Sequence, residues 1–78
     1  MNATPEKIFA IIRDSDITSM NPEELVAHLP LADQGIDSLE RAMIFLNIQE
    51  AFNVTFEKSD YPRLQSVDDI VAFLNGQP

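Results

Sequence analysis

The chain has 78 residues, with thirteen Asp and Glu against five Lys and Arg, and it contains no Cys and no Trp. A chain this short buries only roughly 60% of the surface its unfolded form exposes, so it has material for one small core and for no second one. No disulfide is possible and a single His leaves no structural metal set, so packing alone must hold the fold. A net charge of −8 argues against nucleic acid and anionic membrane surfaces as partners, because both are bound through Lys and Arg. The expected partner surface is therefore basic.

Residues 1–7 show no basic segment leading into an apolar run, as a secretory signal would. No stretch approaches the roughly 18 apolar residues that span a bilayer. The chain is expected to be a cytoplasmic monomer without membrane insertion. With no internal repeat and no low-complexity tract, residues 1–78 read as a single domain.

Thr4-Pro5-Glu6 is a helix start: Thr4 can accept free amide hydrogens of the first turn, and Pro5 loses nothing where the amide is unpaired anyway. Ile8, Phe9, Ile11 and Ile12 then recur at helical spacing, which predicts a first helix over residues 5–13. Residues 14–30 read as a long connection, with Asn21-Pro22-Glu23-Glu24 starting one helical turn that carries Leu25, Val26 and Leu29.

Residues 39–52 form the strongest helical segment, free of Gly and Pro and rich in Leu, Glu, Ala, Met and Arg. Asp37 is its expected N-cap, Glu40 completes a capping box, and the helix starts at Ser38. Ile44, Ile48 and Phe52 follow the i, i+4 rule. Ala42, Met43, Phe45 and Leu46 widen the apolar arc beyond the roughly 100° that a core needs. Part of that arc must face something other than the ordinary core.

Residues 53–56 break the pattern with β-preferring side chains. Residues 57–64 are short, polar and interrupted by Pro62, which leaves room for a turn or a short helix only. Ser66-Val67-Asp68-Asp69 is a further cap, followed by Ile70, Val71, Phe73 and Leu74 before Gly76 ends the run. The expected fold is all-α, a small bundle of three principal helices plus one short helix. Its core should hold Ile8, Ile11, Ile12, Leu39, Ile44, Ile48, Phe52, Ile70 and Leu74.

Catalytic readings find little support. His28 is the only imidazole and lacks the local signature of a nucleophile and its orienting group, so a solvent-facing loop His is expected. Asp14, Asp16, Glu23, Glu24, Asp33, Asp37 and Glu40 fall within residues 14–40 with no Lys or Arg among them. Their spacing lacks the alternating ligands and closing Glu of a calcium loop, so no metal is expected and a solvated acidic face is. Such a one-sign field steers a basic partner toward the start of the strongest helix.

The segment Leu31-Ala32-Asp33-Gln34-Gly35-Ile36-Asp37-Ser38-Leu39-Glu40 resembles the attachment motif of acyl carrier proteins, in which a loop ending in Gly-x-Asp-Ser-Leu presents a serine at a helix start. The likeness extends over nearly the whole chain: a capped first helix, a long loop, the Asp-Ser-Leu start, a helix ending in Glu50-Ala51-Phe52, a short segment and a capped last helix.

The resemblance implies that a phosphopantetheinyl transferase attaches 4'-phosphopantetheine to Ser38 and that the arm's thiol carries acyl groups as thioesters. Gly35, Asp37 and Leu39 would frame the attachment. Because the thiol belongs to the cofactor, the lack of Cys is no objection. The protein would then be a substrate and shuttle for other enzymes and not itself an enzyme.

Asp37, Glu40, Arg41 and Met43 are the expected contacts with basic partner enzymes that load and transfer acyl groups. Ala42 and Leu46, with Ile70 or Phe73 opposite, would border an acyl cavity of the kind the family forms.

Gln34 stands where the family usually has Leu. Arg41, Met43, Asn47 and Gln49 occupy a helix that is richer in acids in carriers for fatty acid synthesis. These departures favour a specialised carrier, for a modified lipid, a secondary metabolite such as a polyketide, or an aminoacyl group. The competing class is a non-covalent acidic helical adaptor whose Met43 and Phe45 form a docking patch, with Ser38 only a cap.

Overall fold

A computed structural model describes residues 2–16 and 21–76. Helix α1 (Pro5–Ser15), helix α2 (Ser38–Phe52) and helix α3 (Val67–Leu74) are joined by segments holding three 3-10 turns, Pro22–Glu24, Leu31–Gln34 and Lys58–Arg63. The all-α bundle is as expected, and no strand occurs among the described residues. Residues 17–20, part of the expected long connection, lie outside the described residues.

The caps read from the sequence close the helices. Thr4 accepts the Lys7 amide with Pro5 in the first turn of α1, and the helix runs two residues past Arg13 to Ser15, whose hydroxyl donates to the Ile11 carbonyl. Asn21 starts a turn as expected, but it ends at Glu24: Leu25 drops into the core, while Val26 and Leu29 stay exposed. Ser66 accepts the Asp69 amide at the head of α3, and Asp69 returns a bond to the Ser66 amide. Pro62 sits inside the Lys58–Arg63 turn, because so short a 3-10 segment tolerates a fixed φ and one missing donor.

Helix α1 packs on both α2 and α3, and its fully buried Ile8 and Ile12 lie at the centre of the core. Ile44, Ile48, Ile70 and Leu74 are buried with them, and Ile11 and Phe52 pack half-buried against the cluster. Asn75 fastens the two ends, accepting the Ala3 amide at 2.9 Å and donating to the Ala3 carbonyl at 3.0 Å.

Leu39 departs from expectation: it is 68% exposed and not part of the core. It lies nine residues before Ile48, and at about 100° per residue that is the opposite side of the helix. Phe45 departs in the other direction. It is buried, edge-on to Phe56 with centroids 5.8 Å apart, so it forms no docking patch with Met43.

The core also takes Leu31, Ile36, Leu64 and Val67, which are fully buried and come mostly from segments that read as loop.

Candidate functional site

The loop before α2 is anchored at both ends by buried apolar residues. Leu31 is buried and its amide donates to the Gln65 carbonyl at 2.7 Å, tying the loop to the approach to α3. Ile36 is buried and its amide reaches back to the Leu31 carbonyl at 3.2 Å. Between them Gly35 adopts φ 89°, a left-handed conformation that closes the Leu31–Gln34 turn and that a side chain would strain.

Chain direction then changes at Asp37, whose extended backbone and side chain start α2. Asp37 Oδ1 accepts the Glu40 amide at 2.8 Å, and Glu40 Oε1 accepts the Asp37 amide at 3.1 Å. This reciprocal pair satisfies two backbone donors at the helix start.

Ser38 follows as the first residue of α2, exposed, with no hydrogen-bond partner for its hydroxyl among the described residues. The free amides and dipole of the first turn favour a negatively charged group attached there.

Helix α2 has three working faces, which accounts for its wide apolar arc. Ile44 and Ile48 face the core. Leu39, Met43 and Leu46, at i, i+4 and i+7, form an outward stripe that is 68%, 39% and 55% exposed.

Ser38, Arg41, Ala42 and Phe45, at i, i+3, i+4 and i+7, make one wall of a cleft of about 550 Å³. Its other wall comes from the Lys58–Arg63 turn and the residues after it: Lys58, Tyr61, Pro62, Leu64 and Gln65. Tyr61 lies over Phe45 with ring centroids 5.5 Å apart. The arrangement offers an accessible hydroxyl at the edge of a mixed apolar and cationic trough.

Residues 6–74 match the protein family described as the phosphopantetheine attachment site. The chain belongs to that family. Its members carry 4'-phosphopantetheine covalently on a serine, and the resemblance to acyl carrier proteins is borne out.

Two curated relatives are non-reducing polyketide synthases. That of Penicillium rubens, sorB, is 38% identical over 60 residues. That of Hypocrea jecorina, sor2, is 37% identical over 60 residues. Each alignment covers 77% of this chain and 2% of the relative, so the chain spans about 2% of the length of either. No solved structure matches the chain significantly.

Within this phosphopantetheine-attachment domain the expected residues are distributed unevenly. Gly35, Asp37 and Ser38 come together at the head of α2, while Leu39 turns outward beside them. Asp37 and Glu40 are engaged in the capping box, Arg41 faces the cleft, and Met43 lies on the outward stripe.

Of the four residues expected around an acyl cavity, only Ala42 lines the cleft. Leu46 is on the outward stripe, Ile70 is fully buried in the core, and Phe73 is half-buried, edge-on to Phe56 at 5.4 Å.

The far wall was not foreseen. Two signals mark it in the sequence: Tyr61 and Leu64 at i, i+3, and Lys58 as a cation in a strongly acidic chain.

Proposed function

We propose that Ser38 is the attachment serine and that residues 1–78 act as one carrier unit, shuttling acyl intermediates between cytoplasmic enzymes without catalysing a reaction. The observation that carries this reading is the Ser38 hydroxyl itself: exposed, unpaired among the described residues, and placed on the first turn of a 15-residue helix beside an open cleft.

The other described serines fit less well. Ser15 is bonded to the Ile11 carbonyl and to Asn47, Ser66 is buried as the cap of α3, and Ser59 lies in a six-residue 3-10 turn.

In loading, Ser38 Oγ forms a bond to the phosphorus nearer the pantetheine of coenzyme A. The pyrophosphate P–O bond breaks, adenosine 3',5'-bisphosphate leaves, and the hydroxyl proton passes to the transferase. When bound, the arm supplies a thiol that holds acyl groups as thioesters.

Gly35 and Asp37 set the direction of the helix start, and the helix terminus favours the new phosphodiester charge. The Leu39, Met43 and Leu46 stripe, rimmed by Asp37 and Glu40, supports docking of enzymes with a basic rim and an apolar centre. The two polyketide synthase relatives favour a cargo built by polyketide-type chain assembly.

Incubation with coenzyme A and a broad-specificity phosphopantetheinyl transferase tests the reading. The expected result is a mass gain of one phosphopantetheine that Ser38→Ala abolishes and Ser59→Ala leaves intact. An unmodified wild type, under conditions that load a control carrier, would favour a non-covalent adaptor.

A further inference from the structure

The chain has five basic side chains, and three are already engaged. Lys7 Nζ donates to the Asn2 carbonyl at 2.8 Å, Arg13 pairs with Asp14 at 3.1 Å, and the Arg63 guanidinium lies 5.5 Å from the centre of the Phe73 ring.

Arg41 and Lys58 differ. Neither side chain has a partner among the described residues, and both line the cleft onto which Ser38 opens. In a chain of net charge −8, two uncompensated cations thus converge on one trough. The lining holds these two cations and no carboxylate, which suits an anion.

The position of that anion follows from helix geometry. Arg41 is three residues beyond Ser38 on the same face, and such neighbours have Cβ atoms about 5–6 Å apart. A phosphodiester on Ser38 Oγ is therefore tethered within reach of the guanidinium, whose planar fork matches phosphate oxygens. Lys58 comes from the facing wall and adds a flexible point charge.

We propose that Arg41 and Lys58 form a phosphate clamp that holds the Ser38-linked arm in the cleft between visits to partner enzymes. The clamp rests on Ser38 being the attachment site.

The remainder of the cleft suits a pantetheine chain. Tyr61, which is exposed, presents ring surface to its apolar carbons, with the edge of the buried Phe45 lining the cleft beside it. The Tyr61 hydroxyl and Gln65 Oε1 have no partner among the described residues, which leaves one donor and two acceptors for the arm's two amides. A volume of about 550 Å³ lies within the roughly 300–1,000 Å³ typical of small-molecule sites.

The test uses the intact chain, loaded with coenzyme A and a phosphopantetheinyl transferase and checked by mass. Two readouts follow on the loaded protein: nuclear Overhauser contacts from the arm's geminal methyl groups to the Phe45 and Tyr61 rings, and the rate at which the arm's thiol reacts with an aromatic disulfide.

The clamp predicts such contacts in wild type and a thiol about tenfold slower than that of free phosphopantetheine, a ratio that reports the fraction of arm outside the cleft. Arg41→Gln combined with Lys58→Gln should remove the contacts and restore the free rate. High salt should do so partly, and Arg41→Lys should fall between. Both changes are at side chains without partners, so circular dichroism of the unloaded variants should match wild type.

A wild-type arm without ring contacts and with a free thiol rate overturns the clamp and leaves Ser38 standing. Contacts that persist unchanged in the double variant overturn the role of the two cations. Absence of a mass gain, or a gain that survives Ser38→Ala, overturns the attachment site and the clamp together.

Discussion

The side-chain amide of Gln34 pairs with both backbone groups of Val26: Oε1 accepts the Val26 amide at 2.7 Å and Nε2 donates to the Val26 carbonyl at 3.0 Å. Nε2 also donates to the Leu29 carbonyl at 2.9 Å. One side chain thus staples residues 26–29 to the turn that leads into Ser38. It gives backbone groups in irregular structure the partners that a helix or sheet would otherwise provide.

Replacing Gln34 with Ala should cost about 0.5–1.5 kcal/mol, since the exposed Val26 and Leu29 groups exchange their partner for water. Gln34→Glu is the sharper variant. It keeps the acceptor for the Val26 amide but sets a second carboxylate oxygen against two carbonyls, so it should be no more stable than Gln34→Ala. Urea unfolding of the three proteins decides: equal midpoints would mean that the clasp does not form.

Helix starts and the main core stripes were legible because their signals are local. A cap, a proline and an acid within four residues announce α1, a cap and two acids announce α3, and a capping box announces α2. The polar departures along the chain were not legible, because their partners are distant. Gln34 reaches back eight residues to Val26. Asn47 donates to the Ser15 hydroxyl, 32 residues away, at 2.7 Å. Gln49 accepts the Phe56 amide at 2.9 Å, holding the segment after α2 against the helix. Gln34 reads as a missing Leu in sequence, Asn47 and Gln49 read as missing acids, and all three are staples in space. The cleft was hidden for a related reason: its second wall is a 3-10 turn, whose tight winding hides the helical period that reveals longer elements.

Leu39 and Ile48 separate the outward face of α2 from its core face. Ile48→Ala removes a fully buried side chain and should cost about 2–5 kcal/mol, whereas Leu39→Ala, at a largely exposed position, should stay within about 0.5 kcal/mol of wild type. Phe52 is only half-buried, so Phe52→Ala should fall below the roughly 3–5 kcal/mol expected of a fully buried Phe. Thermal melting of the three variants checks the order. A Leu39→Ala protein as unstable as Ile48→Ala would place Leu39 in the core.

Gly35 isolates a backbone requirement from a steric one. An added Cβ would meet no heavy atom within 4 Å, so any penalty comes from the left-handed φ of 89° alone. Gly35→Ala should therefore cost about 1–2 kcal/mol, and Gly35→Asn less, because Asn visits that region more readily. If the two proteins melt together with wild type, the loop before Ser38 does not need this conformation.

Glu40 joins two roles that have to be separated before electrostatic steering is tested. Its carboxylate accepts the Asp37 amide, completing the capping box, and it belongs to the acidic run that leads from Asp14 to the head of α2. Glu40→Lys changes both roles. It should slow loading of Ser38, but a frayed first turn contributes to that loss, since removing a cap contribution and a first-turn acid costs roughly 0.5–2 kcal/mol. Glu40→Gln keeps an oxygen for the Asp37 amide and removes only the charge. Steering by rim charges acts on association rate and fades as salt rises. At low ionic strength the Gln variant should therefore load more slowly than wild type, and the Lys variant more slowly still. The three rates should converge as salt is added. Arg41, which lines the cleft beside Ser38, is the same in all three proteins and so does not change this order. Loading rates that ignore ionic strength in all three proteins would remove steering and leave docking to the apolar stripe of Leu39, Met43 and Leu46.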